Sequence, residues 1–193
     1  MKIIFATNNQ HKLDEVQKML PITIDIVTLR ECGITEDIPE TAETLEGNAL
    51  QKARYLFERT GSNCFADDTG LEVEALGGAP GVRSARYATD GHDFNANNLL
   101  LLKNLEGVEN RKAQFRTVIA LILEGTEYLF EGVVKGKITE SHSGSEGFGY
   151  DPLFIADGED RTFAQMTIEE KGAISHRGRA VKKLVEFLRE QKI

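Results

Sequence analysis

Residues 65–87 read Phe65-Ala-Asp-Asp-Thr-Gly-Leu-Glu-Val-Glu-Ala-Leu-Gly-Gly-Ala-Pro-Gly-Val-Arg-Ser-Ala-Arg-Tyr87, and the fold that we predict is organised around them. Residues 63–66, which are mostly apolar, predict a short strand that leads directly into Asp67 and Asp68. Because a strand directs successive side chains to opposite faces, these two carboxylates should diverge. We therefore expect one of them to face a cleft and the other to support the backbone nearby.

A second short strand is predicted for residues 71–76. It is followed by a loop, Gly77–Gly81, that no helix or strand interior tolerates. Two arginines, Arg83 and Arg86, come directly after this loop. Carboxylates at a strand end, a glycine loop and arginines together suggest a site for a metal ion and a phosphorylated ligand. On these residues alone, an exposed acidic turn with two surface arginines explains the pattern equally well.

Length, charge and cysteine usage limit the possible classes of protein. A chain of 193 residues is about one domain long, and we expect residues 1–193 to form a single domain. The net charge of −8 argues against nucleic acid as a partner, since such binders need a basic face. No run of residues approaches membrane-spanning length, and Cys32 and Cys64 lack metal-ligand spacing. We therefore expect a cytoplasmic protein with reduced thiols and no membrane partner.

The turn between the first strand and the first helix is a candidate anion site. The apolar run 2–6 predicts a strand, and residues 10–20 carry apolar side chains at helical spacing. A helix N-terminus presents free N–H groups and a favourable dipole to an anion. The alternative is an ordinary asparagine cap on an ordinary helix. The residues of this turn are Thr7, Asn8, Asn9, Gln10, His11 and Lys12.

The rest of the chain shows both strand and helix periodicity. A capping box at Thr167–Glu170 is expected to open a short helical turn. Strands and helices come first and a long antiparallel hairpin later, which indicates an α/β fold. We expect an elongated, two-lobed molecule with a mixed sheet flanked by helices and an active-site cleft between the lobes. The predicted strands are 23–29, 113–123 and 128–137, and the predicted helices are 44–59, 92–105 and one that follows residues 175–179.

Three further polar segments are candidate ligand contacts. The acidic segment 30–44 is either a solvated loop or the source of a carboxylate ligand for Mg²⁺, which prefers oxygen. The glycine-rich segment 144–152 carries two aromatic residues, which either pack or form a wall for a flat base. The cationic residues Lys171, His176 and Arg177 lie near the start of the last helix, where they suit ligand contact.

Taken together, seven short motifs closely resemble those of the inosine triphosphatase or HAM family. Its members are pyrophosphatases for non-standard purine nucleoside triphosphates. The motifs span nearly the whole chain in the expected order. They are Thr7-Asn-Asn-Gln-His-Lys12, Asn48-Ala49 with Lys52, Ala66-Asp-Asp-Thr-Gly-Leu71, Gly77-Gly-Ala-Pro-Gly81, Ser84-Ala-Arg-Tyr87, Gly147-Phe-Gly-Tyr-Asp-Pro152 and Ser175-His-Arg-Gly-Arg-Ala180.

The resemblance implies Mg²⁺-dependent hydrolysis of the α–β phosphoanhydride of ITP, dITP and XTP, which gives the monophosphate and pyrophosphate. It implies that Asp68 acts as the base and that Glu40 and Asp68 bind the metal. The loop from Thr7 to Lys12 would hold the phosphates, and the family is typically dimeric, so a homodimer is expected. The other implied substrate contacts are Lys52, Thr69, Phe148, Gly149, Tyr150, Asp151, Lys171, His176 and Arg177.

The chain departs from the family's pattern at two positions. Thr69 stands where serine is usual, which keeps the hydroxyl group. Gly47 stands where many members carry glutamate. The choice of Glu40 over Glu43 or Glu46 as the second metal ligand depends on the alignment of the motif that follows.

Two other functions stay open at this point. Residues 67–70 superficially resemble the Asp-x-Asp-Gly-Thr motif of aspartyl-phosphate phosphatases, but the order of Thr and Gly is reversed. A nucleotide-binding sensor without turnover is the other alternative, although pure binding does not need a base beside a metal. The products formed from ITP with Mg²⁺ separate these functions: pyrophosphate, orthophosphate or none.

Overall fold

The computed structural model describes residues 1–191, which form an α/β fold with a mixed seven-stranded sheet and five α-helices. The predicted α/β class with a mixed sheet is therefore confirmed. The strands are β1 (Lys2–Phe5), β2 (Asp25–Thr28), β3 (Cys64–Val73), β4 (Pro80–Gly81), β5 (Lys112–Leu123), β6 (Thr126–Ile138) and β7 (Phe154–Ala156). The helices are α1 (Gln10–Met19), α2 (Leu45–Thr60), α3 (Phe94–Asn104), α4 (Ile168–Ile174) and α5 (His176–Glu190).

The sheet contains both parallel and antiparallel pairs. Its strand order is β2-β1-β3-β5-β6-β7, and the short strand β4 pairs with β3. Strand β1 runs parallel to β2 and β3, whereas β3 with β4 and β6 with β7 are antiparallel. The turn between β5 and β6 places Glu124 and Gly125 at positive φ, 50° and 80°. This two-residue turn joins β5 to its neighbour β6, as in the predicted hairpin.

The chain forms two compact units. The first contains Met1–Asp68, Thr117–Gly132 and the described chain from Arg177 onward. The second contains Thr69–Arg116 and Val133–His176. The boundary between Asp68 and Thr69 falls inside β3, directly after the two carboxylates. The single domain that chain length suggests stays a prediction.

In the first unit, the alternation of side chains along the strands creates two apolar faces. One face packs with α1 and α5 and includes Ile3, Phe5, Phe65, Ile119 and Leu121. The other face packs with α2 and includes the intervening residues Ile4, Ala6, Cys64, Ala66 and Val118. Odd and even residues of β3 therefore meet different helices, as the pleat of a strand requires.

The second unit has its own core, which is rich in aromatic residues. The ring of Phe115 lies 4.7 Å from that of Phe154, and Phe154 lies 5.1 Å from Phe163, measured between ring centroids. Leu101 of α3 and Leu105, which directly follows the helix, pack into the same cluster. Helix α3 begins after Asp93, whose side chain accepts a hydrogen bond from the Ala96 N–H.

The structure corrects one prediction within residues 65–87. Residues 64–73 form one continuous strand, so Asp67 and Asp68 lie inside β3 and not at the end of a short strand. The predicted strand at 71–76 is the last part of β3 followed by a 3₁₀ turn, Glu74–Leu76. Because Thr69 is β-branched and favours an extended backbone, the single glycine after it does not end the strand.

Candidate active site

The two adjacent carboxylates of β3 point to opposite faces of the first unit. Asp67 meets Lys12 of α1 and Arg177 of α5, whereas Asp68 meets Asn48 and Lys52 of α2. The predicted divergence of the two side chains is confirmed. Each carboxylate therefore has its own set of partners, although a single peptide bond joins the two residues.

Asp67 is enclosed by cations. Its side chain is 1% exposed; Lys12 Nζ lies 3.0 Å from Oδ1, and Arg177 Nε lies 3.1 Å from Oδ2. Burial alone would raise the pKa of Asp67, but Lys12, Arg177 and Lys52 together hold it well below the ordinary value. Burial among these cations therefore favours the ionised form of Asp67.

Arg177 is itself fixed by two carboxylates. Its guanidinium donates from Nε to Asp67 and from Nη1 to Glu15 Oε2, the latter over 2.5 Å, and its side chain is 1% exposed. Burial would lower the pKa of Arg177, but Glu15 and Asp67 raise it above the usual range. The geometry supports a role in holding Asp67, and contact of Arg177 with a base or sugar stays a prediction.

Sequence reasoning missed Glu15, which is buried in α1 although it is charged. One signal for it was available. Glu15 lies three residues after Lys12, so a helix places the two side chains on the same face.

Asp68 has a different environment on the other side of the strand. Asn48 Nδ2 donates to its Oδ2 over 3.1 Å, and Lys52 Nζ lies 4.0 Å from its Oδ1. Burial raises the pKa of Asp68 above the ordinary value, against the opposing effect of Lys52 and Lys12, and Glu40 adds to the rise. A carboxylate with an elevated pKa is a better proton acceptor than an ordinary aspartate.

One face of α2 holds the loop that carries Glu40. Lys52 donates from Nζ to the Glu40 carboxylate and, over 2.7 Å, to the Asp67 carbonyl oxygen. Asn48 Oδ1 accepts from the Ala42 N–H over 2.9 Å, so this one side chain contacts both the loop and Asp68. Burial would lower the pKa of Lys52, but Asp68 and Glu40 raise it above the ordinary lysine value.

The close approach of this loop to α2 explains why glycine at position 47 is suited to this chain. A Cβ at Gly47 would lie 2.6 Å from the Cβ of Ala42 and 3.0 Å from Thr44 Oγ1. A glutamate there would require the loop to move. Gly47 thus lets Ala42 stay within hydrogen-bonding distance of Asn48.

The turn from Thr7 to Lys12 forms the expected helix start. Asn9 is the N-cap of α1, and its Oδ1 accepts from the Lys12 N–H over 3.3 Å, while Thr7 Oγ1 accepts from the Asn9 N–H over 3.1 Å. Asn8, Gln10 and His11 are exposed. Burial lowers the pKa of Lys12 although Asp67 opposes the shift. The cap is confirmed, and phosphate binding by this turn stays a prediction.

The second unit holds the other predicted contacts in the loop 147–151. Asp151 Oδ2 accepts from the Phe148 N–H over 3.0 Å and from Lys171 Nζ over 2.7 Å, and both charged side chains are buried. The Lys171 ammonium lies 5.0 Å from the centroid of the Phe148 ring. A Cβ at Gly147 would lie 2.2 Å from Asp151 Oδ2, so the closeness of these two residues requires glycine.

Tyr150 and His176 are packed into the second unit. The Tyr150 hydroxyl donates to the Ser84 carbonyl oxygen over 2.7 Å. The His176 ring stacks on Phe115 with 4.5 Å between centroids and 15° between planes. Thr69 is half-buried at the start of this unit. Arg83 and Arg86, which follow the glycine loop, are exposed, and Arg83 lies 3.8 Å from Asp90.

The structure thus groups the predicted residues in two sets. The first unit brings together Lys12, Glu40, Lys52, Asp68 and Arg177. The second unit brings together Phe148, Asp151 and Lys171, with His176 on an aromatic surface nearby in the same unit.

The carboxylates of the first set suit Mg²⁺. Glu40 and Asp68 supply hard oxygen ligands beside the same lysine, Lys52. Within residues 1–191, no group of three or more His, Cys, Asp or Glu side chains is arranged to hold a metal. A pair of carboxylates is nevertheless what Mg²⁺ commonly takes from a protein, because water and substrate phosphates complete its shell.

The α/β fold, the paired carboxylates and the buried lysines fit an enzyme of the nucleotide hydrolase class. The chain belongs to the Ham1 family, whose model matches residues 3–187. Among the 191 described residues, none of the helices has the length and apolar character needed to cross a membrane.

Similar proteins match along nearly their whole length. A dITP/XTP pyrophosphatase of Flavobacterium johnsoniae is 53% identical over 188 residues, which covers 97% of this chain and 98% of the relative. A protein of the same name from Porphyromonas gingivalis is 55% identical, with 97% of each chain covered. Among solved structures, the Staphylococcus aureus Ham1 protein has a TM-score of 0.89 at 38% identity, covering 99% of this chain and 100% of its own.

Proposed function

We propose that this protein hydrolyses dITP and XTP, and also ITP, to the nucleoside monophosphate and pyrophosphate. The observation that carries the proposal is the pair Asp67 and Asp68. One is held ionised by cations, and the other has a raised pKa beside Glu40 and Lys52. The names of the relatives supply the substrate class, since both curated matches above are called dITP/XTP pyrophosphatases.

In the proposed reaction, Asp68 is the catalytic base. A water oxygen attacks the α-phosphorus, Asp68 takes the proton that the water loses, and the bond to the bridging oxygen breaks to release pyrophosphate. A positioned base contributes roughly 10²–10⁴ to the rate of such a reaction. Asn48 fixes one oxygen of Asp68 by its hydrogen bond to Oδ2.

The phosphates are proposed to bind at the start of α1. Lys12, Lys52 and the N–H groups of the turn from Thr7 to Lys12 supply positive charge for the triphosphate. Asp67 keeps the Lys12 ammonium in place over a 3.0 Å ion pair. Positioning and charge balance of this kind are the main requirement of phosphoryl-transfer chemistry, since the protein itself forms no covalent bond.

Glu40 and Asp68 would hold Mg²⁺ in this scheme. When bound, the ion supplies further neutralisation of the charge that develops on the phosphate oxygens. Lys52 contacts Glu40 and approaches Asp68, so it holds these two carboxylates in place through its own charge.

The base and sugar are proposed to bind at the loop 148–151, at Lys171 and at His176, with Thr69 and Arg177 as further substrate contacts. Phe148 offers a flat ring whose backbone is fixed by Asp151, while Lys171 is fixed by the same carboxylate. Because an amide N–H or an ammonium only donates, such groups favour the O6 acceptor of hypoxanthine and xanthine over the amino group of adenine. Leaving a buried donor unpaired costs about 1–3 kcal/mol, which would disfavour ATP.

The test is product identification with purified protein. XTP, dITP, ITP and ATP are each incubated with Mg²⁺, and the products are separated by ion-exchange chromatography. Monophosphate and pyrophosphate from XTP and dITP, with little turnover of ATP, support the proposal. Orthophosphate as the primary product would indicate a phosphatase, and binding without any product would indicate a sensor.

A homodimer in the cytoplasm is a further part of the proposal, and it follows from the resemblance to the family. Light scattering coupled to size-exclusion chromatography measures the mass in solution directly. A mass of about twice the 21.4 kDa of one chain supports the dimer, and a mass equal to one chain contradicts it.

A further inference from the structure

We propose that Phe94 and Asn98 of α3 are positioning residues. They hold the loop 148–151 in the position and orientation in which it can bind a purine. This inference deepens the proposed function, because it rests on the loop 148–151 being the contact for the base. The two residues are four apart on α3, so they lie one above the other on the same helix face.

The α3 face, defined by Phe94 and Asn98, contacts two consecutive residues of the loop. The rings of Phe94 and Phe148 lie 5.9 Å apart and are tilted by 50°. Asn98 Nδ2 donates to the carbonyl oxygen of Gly149 over 3.0 Å. One contact therefore controls the ring that would stack on a base, and the other controls the backbone directly after it.

The Gly149 backbone is the part of the loop that most needs such support. Its φ is +61°, a conformation that residues with a Cβ rarely adopt, although a Cβ there would meet nothing within 4 Å. Glycine also has the most conformational freedom to lose on folding. The hydrogen bond from Asn98 fixes the orientation of this one peptide and, with it, the direction in which the loop continues.

Asn98 is not a good residue for packing alone. It is 4% exposed, and among the described residues its Oδ1 has no hydrogen-bond partner. A buried acceptor without a partner is unfavourable, so an apolar side chain could be buried here at a lower cost in free energy. The contact that explains an asparagine here is the one that its Nδ2 makes with Gly149.

Helix α3 is firmly attached, which makes it a suitable support. The neighbouring Asn97 accepts from the Ala88 N–H over 2.8 Å and donates to the Ala85 carbonyl oxygen over 3.1 Å. Within the loop, Asp151 accepts a hydrogen bond from the Phe148 N–H. The Phe148 ring and the Gly149 peptide are thus fixed by α3 while the Phe148 backbone is fixed by Asp151.

The test compares Asn98→Asp with Asn95→Asp. Both changes are isosteric and add the same charge, but Asn95 is exposed on the same helix. We expect Asn98→Asp to raise KM for XTP about five- to tenfold, because one hydrogen bond is lost. The value of kcat should stay within about twofold of wild type. Phe94→Leu, which keeps an apolar contact without the ring, should raise KM by a smaller factor, and Asn95→Asp should leave both constants unchanged.

Binding measurements separate a positioning role from a general loss of folding. Titration calorimetry should show weaker binding of XMP to Asn98→Asp and unchanged binding of pyrophosphate, which lacks a base. Equal losses for XMP and pyrophosphate, or a KM equal to that of Asn95→Asp, would overturn the inference. If the wild-type protein makes no pyrophosphate from XTP, the proposed function fails, whereas the XMP titrations still report whether α3 supports a purine site.

Discussion

Asp67 and Asp68 are neighbours in β3, yet they lie in opposite environments. Asp67 forms ion pairs with Lys12 and Arg177 at 3.0 and 3.1 Å, and its pKa is held far below the ordinary value. Asp68 accepts a hydrogen bond from neutral Asn48, and its pKa is raised by burial. Residue type is identical at the two positions, so only the neighbours account for the difference.

This contrast supports the role that we propose for each carboxylate. A group that stays ionised provides a fixed counter-charge, while a group with a raised pKa is suited to accept a proton. Paired carboxylates whose pKa values are pushed apart are a general sign of acid–base assignment in an active site. In our proposal Asp67 positions Lys12 and Arg177, and Asp68 is the base.

The largest expected effect is on turnover. Asp68→Asn should reduce kcat for XTP by roughly 10²–10⁴, because it removes the proton acceptor and a proposed metal ligand. Steady-state kinetics with pyrophosphate detection measures the loss. Since burial disfavours the charged form of Asp68 in the folded state, the variant should lose less free energy of unfolding than Asp67→Asn. A rate within about threefold of wild type would remove Asp68 from the base role.

Asp67→Asn should show the opposite balance, with a large loss of stability. It leaves the buried Arg177 and Lys12 with one carboxylate fewer, and breaking a buried ion pair costs about 3–5 kcal/mol. Urea denaturation measures this loss against the Asp68→Asn variant, which has the same chemical change one residue away. Equal unfolding free energies for the two variants would contradict the contrast between the two carboxylates.

Glu40→Gln should change the requirement for Mg²⁺. We expect the Mg²⁺ concentration at half-maximal rate to rise by about tenfold or more, because one charged oxygen ligand is lost. Kinetic titration with Mg²⁺ at saturating XTP measures the shift. Glu43→Gln and Glu46→Gln are the matched controls, and a shift in either of them without one in Glu40→Gln would move the metal ligand along the acidic segment.

The smallest expected effect is a pH dependence of stability. Because the pKa of Asp67 is lower in the folded protein than in the unfolded chain, its stabilising contribution is complete above the unfolded value of about 3.9. That contribution is lost as the pH falls towards the folded value. The difference in unfolding free energy between wild type and Asp67→Asn should therefore be constant from pH 7 to about pH 5 and shrink below about pH 4. If this difference in unfolding free energy grew on acidification, it would contradict a lowered pKa of Asp67 in the folded protein.

Much of the fold was predictable from local patterns. Apolar runs in β1 and β5 and apolar spacing in α1 and α2 predicted element positions within a few residues of those observed. The capping box at Thr167–Glu170 is present as predicted. Short strands such as β4 and β7 carry too few residues for periodicity, and their pairing with distant strands decides their conformation.

Much of the candidate site was also visible in the sequence, but its contacts were not. Motif resemblance pointed to Asp68, Lys12 and Asp151, whereas the contacts of Glu15 with Arg177 and of Asn98 with Gly149 are known only from the structure. Neither Glu15 nor Asn98 lies in a segment that stands out by composition. Each is significant only through a partner that is distant along the chain.

The sequence by itself determined that Asp67 and Asp68 face opposite sides, because the pleat of a strand is a property of the local backbone. Only the tertiary structure decided which charged and polar groups each of the two side chains meets. Arg177 reaches Asp67 across 110 residues of chain and Glu15 across 162, and no local pattern specifies such a pairing. Since a pKa depends on the charges and the burial that the folded chain brings together, the different roles of two identical residues arise only when those distant groups meet.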